Sequence, residues 1–409
     1  MYYSSKKEQR VFFEEYLTNE SKCLEFKYIS DCRFVTGSTY PLFLLNVKIE
    51  LMIWNPFKMA ANAFLGVDIG TSAIKIVEMS RAGKRRKLDN YGEMKAEALY
   101  EKPFRTFEKS TLSFSNRDVV RVVSAVLRES KFKTNKAYFS IPDFSTFFTT
   151  LSLPAMTEEE IPQAVNYEAP QHIPLPLSGV TLDWQIVERE PAVSSGGGAI
   201  KVLLVAVPND VIQQYQQIAA GVGLEVLSLE AEVFSLSRAL VGEVEKTQTV
   251  SLIDIGARST TINVISKGIL RVSHSFDTSG SDLTTVIAKA LNLEYQEAEK
   301  LKSEEGLLFS GNSVKEAMLP LIDLILEEVK KIFASFFQAE GEEVQKIILA
   351  GGSAFMPGLV EYFTKNLQKP AEIANPFTNI YYPPILEEYL KIMGPSYAIA
   401  VGAALRGLE

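Results

Sequence analysis

Two short segments of the chain are candidates for phosphate binding, because each places an aspartate and a glycine in a turn directly after an apolar strand. The first runs from Phe64 to Val77 and contains Asp68-Ile-Gly-Thr-Ser, and the second runs from Val250 to Val264 and contains Asp254-Ile-Gly. Glycine lets the chain turn closely, and the backbone N–H groups of such a turn point inward toward an anion. Each turn alone is also typical of an ordinary hairpin.

A third segment strengthens the prediction of a nucleotide cleft. Val344–Ala350 has the pattern of a buried strand and runs into Gly351-Gly352-Ser353, where an adenosine could approach backbone without side chains. The two Asp-Ile-Gly turns are 186 residues apart, which leaves room for a complete domain between them. The three segments together predict two related halves around a nucleotide.

Bulk composition excludes several classes of protein. With 409 residues and 46% hydrophobic residues, the chain is long and apolar enough for several packed cores. Its formal net charge of -8 argues against nucleic acid as a partner, because phosphate backbones require a basic footprint. Cys23 and Cys32 are too few and too badly placed for a disulfide framework or a metal site, so a reducing cytoplasm is expected.

The elements that must position the turns alternate between strand and helix. Residues 63–98 predict three successive strands, and Arg117–Ser130 carries apolar residues at helical spacing before a short buried strand at Ala137–Ile141. This order predicts an α/β fold. The basic run Arg81–Lys87 is predicted to be a solvated hairpin tip, with contact to a membrane surface or an acidic partner as the alternative.

A compact insert is predicted between the two turns. Residues 144–225 have the pattern of strand, helix, strand, strand and helix, and the first of these helices opens at Thr157 with Glu160 at the capping-box position. Farther along, Val314–Ala339 predicts a long helix whose apolar side faces the core, an oligomer face being the alternative. Residues 1–63 show no clear periodicity of apolar residues and are predicted to be a disordered or non-native extension. The alternative is a flexible arm that belongs to the native protein.

The order and spacing of these segments match the actin, Hsp70 and sugar-kinase superfamily, and more closely the chain resembles the PilM family of type IV pilus assembly proteins, itself related to the cell-division protein FtsA. The resemblance covers Phe64–Leu408. It is carried by Gly-Val-Asp-Ile-Gly-Thr-Ser-Ala-Ile-Lys-Ile-Val-Glu at 66–78, by the acidic and proline-bearing stretch 156–176, and by Leu-Leu-Val-Ala-Val-Pro at 203–208. The last two are more specific, because they lie in the insert that replaces subdomain 1B of actin.

The resemblance implies an α/β, actin-like (ribonuclease H-like) fold with duplicated domains around a nucleotide cleft and a 1C (SHS2-like) insert of the FtsA and PilM type. The implied boundaries are 64–143 and 226–248 for subdomain 1A, 144–225 for the insert 1C, 249–280 and 346–409 for subdomain 2A, and 281–345 for subdomain 2B.

The resemblance also implies ATP and Mg²⁺ as cofactors, with at most slow ATPase activity. The residues expected to bind the nucleotide are Asp68, Gly70, Thr71, Ser72, Lys75, Asp254, Gly256, Arg258, Gly280, Glu299, Lys302, Gly351, Gly352 and Ser353. Among them Asp68 and Asp254 are expected to hold Mg²⁺ mostly through water. Arg258 departs from the small residue of related ATPases. A solvated helix face is the alternative for Glu299 and Lys302, and Glu230 is expected to orient the attacking water if hydrolysis occurs.

The implied partner is the N-terminal cytoplasmic peptide of a PilN-like membrane protein, held as an extended segment in a groove beside the insert. The surroundings of Tyr167 and Leu175 are one candidate for this groove, the alternative being that they only pack the insert. Other pilus assembly platform proteins are further expected partners, self-association is left open, and the location is cytoplasmic and peripheral at the inner face of the membrane. Three alternatives remain: an FtsA-like cell-division adaptor, which would need a terminal amphipathic helix that is not seen after Leu408, a small-molecule kinase, and a scaffold without nucleotide.

Overall fold

The computed structural model describes residues 26–29, 63–96, 116–190, 198–243, 245–308 and 313–409. Most of the predicted N-terminal extension, 1–63, therefore lies outside the described residues, although 26–29 form a strand. In chain order the strands are β1 (Phe26–Ile29), β2 (Phe64–Ile69), β3 (Ala73–Ala82), β4 (Arg85–Lys95), β5 (Lys136–Ile141), β6 (Phe147–Pro154), β7 (Val180–Glu190), β8 (Ala199–Pro208), β9 (Glu225–Ala231), β10 (Thr249–Ile255), β11 (Thr260–Ser266), β12 (Ile269–Phe276), β13 (Lys346–Ala350), β14 (Ala371–Ile373) and β15 (Ile380–Tyr381).

Nine α-helices occur within the described residues. In chain order they are α1 (Asn116–Ser130), α2 (Ile161–His172), α3 (Asn209–Val222), α4 (Glu232–Leu240), α5 (Gly280–Leu291), α6 (Tyr295–Glu304), α7 (Ser313–Glu340), α8 (Leu359–Leu367) and α9 (Glu387–Arg406). None of these helices has both the length and the apolarity that crossing a bilayer requires.

The two halves of the chain repeat one sheet topology. In the first sheet the order is β1-β4-β3-β2-β5-β9, with β15 beside β4, and in the second it is β12-β11-β10-β13-β14. In each half an antiparallel three-strand meander is followed by two parallel strands on its other side. β2 and β10, which end at the two Asp-Ile-Gly turns, are therefore equivalent central strands, and the predicted actin-like duplication is confirmed.

Each sheet is covered on both of its faces, because the apolar side chains of its strands alternate toward both. The first sheet presents Leu65 and Val67 to α1 and α3, and Phe139 of β5 meets Tyr215 of α3 edge to face. This packing differs from the predicted boundaries, which assign α3 to the insert. The apolar side of α3 covers the first sheet, so α3 packs as part of the first half.

The helices α5, α6 and α7 of the second half share one core with one face of the second sheet. Apolar residues of α5, α6 and α7 pack together with Ile253 and Val264 of the second sheet. The predicted subdomain 2B, 281–345, therefore has no core of its own within the described residues. The long helix α7 faces this core through Ile322, Ile325 and Val329, whereas Phe337 at its end is exposed.

The insert is a three-stranded sheet in the order β6-β8-β7, with α2 packed on one face. Its helix begins at Ile161, later than the predicted opening at Thr157, and the backbone N–H and the hydroxyl of Thr157 both donate to Oε2 of Glu160. The opposite face of the insert sheet, which includes Leu203 and Val205, packs toward α4 and the second sheet. The insert thus contacts both halves.

Small residues on α9 allow it to lie between the first sheet and α4. A side chain at Gly402 would collide with the backbone of Ser235 in α4, and one at Gly66 in β2 would collide with the backbone of α9 at Ala400. Ala398 of α9 packs with Leu252 of the second sheet. Helices α4 and α9 therefore form the joint between the halves.

Candidate functional site

The first predicted phosphate loop begins at Asp68, one residue before the end of β2. Lys75 lies directly opposite Asp68 on β3, and its Nζ is 4.0 Å from Oδ2 of Asp68. Both side chains are largely buried. Because β2 and β3 pair antiparallel around a short turn, the spacing of seven residues brings the two charges together across the hairpin.

Lys75 has two further polar neighbours. Its Nζ lies 5.9 Å from the ring centre of Tyr397 on α9, close enough for a cation–π contact, and the Tyr397 hydroxyl donates to Oε2 of Glu93 at 3.2 Å. Burial, followed by the charge of Glu93, raises the pKa of Tyr397 well above its ordinary value. Tyr397 is therefore a neutral wall of the site at physiological pH, which sequence reasoning did not identify.

The rest of the first loop, from Gly70 to Ser72, is fixed by backbone contacts. Thr71 is buried and Ser72 is exposed, and the carbonyl of Ser72 accepts a hydrogen bond from the backbone N–H of Ala96 at 2.7 Å. Gly70 approaches the carbonyl of Ala73 so closely that a Cβ would lie 2.7 Å from that oxygen.

The second loop meets the start of α5 and the Gly-Gly-Ser segment. The backbone N–H of Gly280 donates to the carbonyl of Gly256 at 2.9 Å, and a side chain at Gly280 would collide with Oγ of Ser353. The structure therefore brings Gly256, Gly280 and Ser353 into one cluster. Arg258 is exposed on the same loop.

Gly351 is another position of the site that leaves no room for a side chain. It adopts a φ of +90°, and a Cβ there would lie 2.5 Å from the carbonyl oxygen of Ile255 and closer still to Oδ1 of Asp254. The neighbouring Gly352 faces open space, since a Cβ on that residue would have no atom within 4 Å. The segment thus combines a closed backbone contact with an open surface beside Asp254.

Lys302 and Glu299 lie in the same region but have internal partners. Nζ of Lys302 donates to the carbonyl of Gly280 at 2.9 Å, to Oγ1 of Thr284 at 2.8 Å and to Oε2 of Glu299 at 2.7 Å. Lys302 is buried. These bonds fix α6 against the first turn of α5 and take Lys302 out of a solvated helix face, while the contact of Lys302 and Glu299 with ribose stays a prediction.

Helix α9 connects the two groups of residues. The carbonyl of Pro395 accepts a hydrogen bond from the backbone N–H of Gly351 at 3.0 Å, and Tyr397, two residues later, contacts Lys75. The residues near Asp68 and those near Asp254 therefore approach the same stretch of α9.

Glu230 has a different environment from the one expected for a residue that orients water. Its carboxylate accepts hydrogen bonds from Arg238 at 2.6 and 3.0 Å, from Arg406 at 2.8 Å and from the Ser235 hydroxyl at 2.5 Å. Arg238 also donates to the carbonyl of Gly402. Glu230 thus anchors α4 to α9, and both of its oxygens are engaged.

Asp143 is a buried carboxylate that sequence reasoning missed. Its Oδ1 accepts the backbone N–H of Val233 at the start of α4 at 3.0 Å, and its Oδ2 is 3.5 Å from Nδ2 of Asn263 on β11. Burial, then the nearby charge of Glu232, raises the pKa of Asp143 well above its ordinary value, and Asp254 contributes in the same direction. In the sequence, the only feature that could have indicated Asp143 is its position directly after Pro142, which follows the end of β5 at Ile141.

The donor set fits a nucleotide with a hydrated Mg²⁺. Lys75, the hydroxyl of Thr71 and the backbone of the two turns suit phosphate, and Asp68 and Asp254 supply hard oxygen atoms. The described residues contain no group of three or more His, Cys, Asp or Glu side chains that could hold a metal directly. Such a cation would therefore depend on water and phosphate oxygens for most of its ligands.

Comparisons with known proteins agree with this architecture. The family model described as type IV pilus assembly protein PilM matches residues 66–408. The structure titled PilM–PilN type IV pilus biogenesis complex aligns with a TM-score of 0.72 and 24% identity, covering 84% of this chain and 98% of that one. The ethanolamine utilization protein EutJ from Carboxydothermus hydrogenoformans aligns with a TM-score of 0.51 and 17% identity, covering 84% and 89%.

A cell-division relative is similar over much of the chain. FtsA of Bacillus subtilis (strain 168) is 22% identical over an alignment of 373 residues, which covers 83% of this chain and 82% of FtsA. The family match covers most of the sequence and spans both halves and the insert. The chain therefore belongs to the type IV pilus assembly protein PilM family.

Proposed function

We propose that the protein is an ATP-binding component of type IV pilus assembly that docks the N-terminal peptide of a PilN-like membrane protein. The observation that carries the proposal is the convergence of both Asp-Ile-Gly loops and the Gly351–Ser353 segment on α9, in a chain whose family and insert are those of a pilus assembly protein. The protein acts at the inner face of the membrane through this partner.

The nucleotide part of the proposal assigns a task to each side of the cleft. Lys75 neutralises phosphate charge, and the buried Thr71 and the turn amides donate to phosphate oxygens. Asp68 and Asp254 orient the water ligands of Mg²⁺. The open backbone at Gly352 and the neighbouring Ser353 receive the adenosine, whereas Lys302 and Glu299 support that surface by holding the start of α5.

Hydrolysis is proposed to be slow. Glu230 remains the candidate from sequence for orienting water, but its oxygens already accept four hydrogen bonds, from Arg238, Arg406 and Ser235. Because these donors occupy both of its oxygens, the carboxylate is poorly placed to hold an attacking water. Nucleotide binding would then serve mainly to fix the relative position of the halves, which meet at α4 and α9.

For the peptide we propose a groove along the insert strand β7. This strand is an edge of the described insert sheet, so its main chain can pair with an extended peptide. A cavity of about 330 Å³ lies beside it, and its walls include Val187 and Leu203 of the insert, Phe234 of α4 and Leu270 of β12. These apolar walls suit a leucine or isoleucine side chain of the peptide.

The surface around Tyr167 and Leu175 is the second candidate for the groove. Both side chains are exposed, Tyr167 by 74% and Leu175 by 43%, so neither contributes fully to the insert core. The two candidates are separated by substitution: Val187→Asp weakens peptide binding if β7 forms the groove, and Tyr167→Ala together with Leu175→Ala weakens it if the α2 side does.

The decisive test is a calorimetric titration of the full chain with peptides that correspond to the cytoplasmic N-terminus of a PilN-like membrane protein. We expect saturable binding by the wild-type protein. Binding of none of these peptides would remove the assembly role, even if Mg-ATP still bound. A metabolite-dependent release of ADP would instead favour the small-molecule kinase.

A further inference from the structure

The hairpin between β3 and β4 concentrates positive charge on a protein that is acidic overall. Five of the seven residues from Arg81 to Lys87 are basic, in a chain with a formal net charge of -8. The tip is exposed, with Gly83 at a φ of +65° in the turn. Within the described part of the chain, Lys84, Arg85 and Arg86 form no salt bridge, while Lys87 pairs with Asp89. This charge is therefore available to an external anion.

An exposed apolar ridge begins beside this hairpin. Tyr381 of β15 lies opposite Lys87 of β4, and the chain then continues to the start of α9. Large apolar side chains stand out from this short segment with more than half of their surface exposed, namely Tyr381 (51%), Ile385 (58%), Tyr389 (61%) and Ile392 (59%).

Ile385, Tyr389 and Ile392 lie on one helical face. Ile385, Tyr389 and Ile392 follow at intervals of four and three, which is the spacing of one helical face. Leu390, which is buried, packs on the opposite side into the core beneath. The ridge is flanked by Glu387, Glu388 and Lys391, which give it a formal net charge of -1, so the positive charge of this surface belongs to the hairpin alone.

We propose that the basic hairpin 81–87 and the apolar ridge 381–392 together form a docking surface for a membrane that contains anionic lipids. The lipid headgroups would meet Lys84, Arg85 and Arg86, and the tyrosine and isoleucine side chains would enter the interfacial region, where tyrosine is favoured.

The combination of positive charge and exposed apolar surface favours an anionic membrane over an acidic peptide. An acidic peptide would satisfy the hairpin but would leave the ridge exposed to water, whereas a bilayer interface offers both anionic groups and apolar volume. Because the whole chain is acidic, a general attraction to anionic lipids is not expected, and any binding must come from a local patch. The proposal is independent of nucleotide and of the peptide groove, so its failure leaves the proposed function untouched.

The test is sedimentation of the full chain with vesicles of phosphatidylglycerol and phosphatidylcholine, compared with vesicles of phosphatidylcholine alone. We expect binding only to the anionic vesicles, and we expect salt of about 1 M to weaken it, because the Debye length then falls to about 3 Å. The paired change Lys84→Glu and Arg85→Glu should lower the partition coefficient by at least about tenfold, since it reverses charge at the surface.

A matched variant separates a local patch from net charge. Lys330→Glu with Lys331→Glu makes the same change in net charge on the exposed side of α7, and it should leave vesicle binding unchanged. Likewise, Ile385→Ser with Tyr389→Ser should weaken binding, while Leu324→Ser with Phe337→Ser, also exposed on α7, should not.

Three outcomes would overturn the proposal: a wild-type protein that stays in the supernatant with anionic vesicles, equal losses for the hairpin pair and its α7 control, or equal binding by the hairpin pair and the wild type. Retention on an immobilised polyglutamate peptide without vesicle binding would assign the hairpin to an acidic protein instead. Thermal unfolding of each variant near the wild-type temperature establishes that the losses are not due to unfolding.

Discussion

Gly351 lies against Asp254 with no room for a β-carbon between them, because a Cβ at residue 351 would approach both Oδ1 of Asp254 and the carbonyl of Ile255. Gly351→Ala must therefore displace the aspartate, and alanine also disfavours the φ of +90°. We expect this variant to lose at least about 2 kcal/mol of unfolding free energy and to bind Mg-ATP poorly.

Gly352→Ala is the control for this prediction, since no atom lies within 4 Å of its added methyl group. Chemical denaturation should show a stability close to that of the wild type. Equal destabilisation by the two alanines would mean that the close approach to Asp254 is not what constrains residue 351.

Two lysines of the site should respond differently to removal. Lys75 faces Asp68 and the ring of Tyr397, so Lys75→Ala should weaken Mg-ATP binding by at least about tenfold, equivalent to about 1.4 kcal/mol. It should cost less stability than Lys302→Ala, because the Nζ–Oδ2 distance to Asp68 is as long as 4.0 Å. Lys302 instead holds the start of α5 through two hydrogen bonds, to the Gly280 carbonyl and the Thr284 hydroxyl, and Lys302→Ala should destabilise the protein by about 1–3 kcal/mol. Denaturation curves and titration with a fluorescent ATP analogue measure both effects, and the opposite assignment would refute the proposed roles.

Glu230 should prove to be a stabilising residue at the joint between the halves. Glu230→Ala leaves Arg238 facing a mostly buried site without its carboxylate, which should cost about 3 kcal/mol of stability. Glu230→Gln keeps the shape of the side chain, and its unfolding free energy should lie between those of the wild type and of Glu230→Ala. An ATPase rate that falls sharply in Glu230→Gln while its unfolding free energy stays at the wild-type value would instead support the water-orienting role.

Asp143 should make stability depend on pH. The pKa of Asp143 in the folded protein is raised above the ordinary value of 3.8, so the folded protein retains a proton that the unfolded chain releases. The contribution of Asp143 to stability is therefore complete below about pH 4, and it is lost as the pH rises through the folded-state pKa. Asp143→Asn cannot ionise, and its amide could donate to Oδ1 of Asn263, which has no hydrogen-bond partner among the described residues.

We therefore expect Asp143→Asn to be more stable than the wild type near neutral pH and equal to it near pH 4. Denaturation in EDTA without nucleotide, repeated across this range, measures the difference. Parallel stability curves for the two proteins would contradict the buried, protonated state of Asp143.

The sequence was sufficient for the repeated hairpins but not for the helices that join them. β2 and β10 were predictable because an apolar strand that ends in Asp-Ile-Gly is a local pattern. The predicted boundaries place α3 in the insert, yet the apolar side of this helix covers the first sheet. Which sheet an amphipathic helix covers is decided by tertiary contact, which the period of its sequence does not encode.

The partners of single side chains were equally hard to predict. Lys75 was likewise expected from the resemblance, and the hairpin places it directly opposite Asp68. Glu230 and Lys302 were placed near the nucleotide by resemblance, yet their charges are engaged by Arg238, Arg406 and the start of α5, which are distant in sequence or on another helix. Asp143 carries no motif, and only its burial between β5, α4 and β11 makes it distinctive.

The central claim, that the two loops form one nucleotide site, is tested most directly by calorimetric titration of the full chain with ATP in the presence of Mg²⁺. We expect saturable binding with one site per chain, weakened by at least about tenfold in Asp68→Asn and also in Asp254→Asn, while Gly352→Ala retains a folded protein. Absence of binding by folded wild-type protein, or full affinity in both aspartate variants, would contradict the claim.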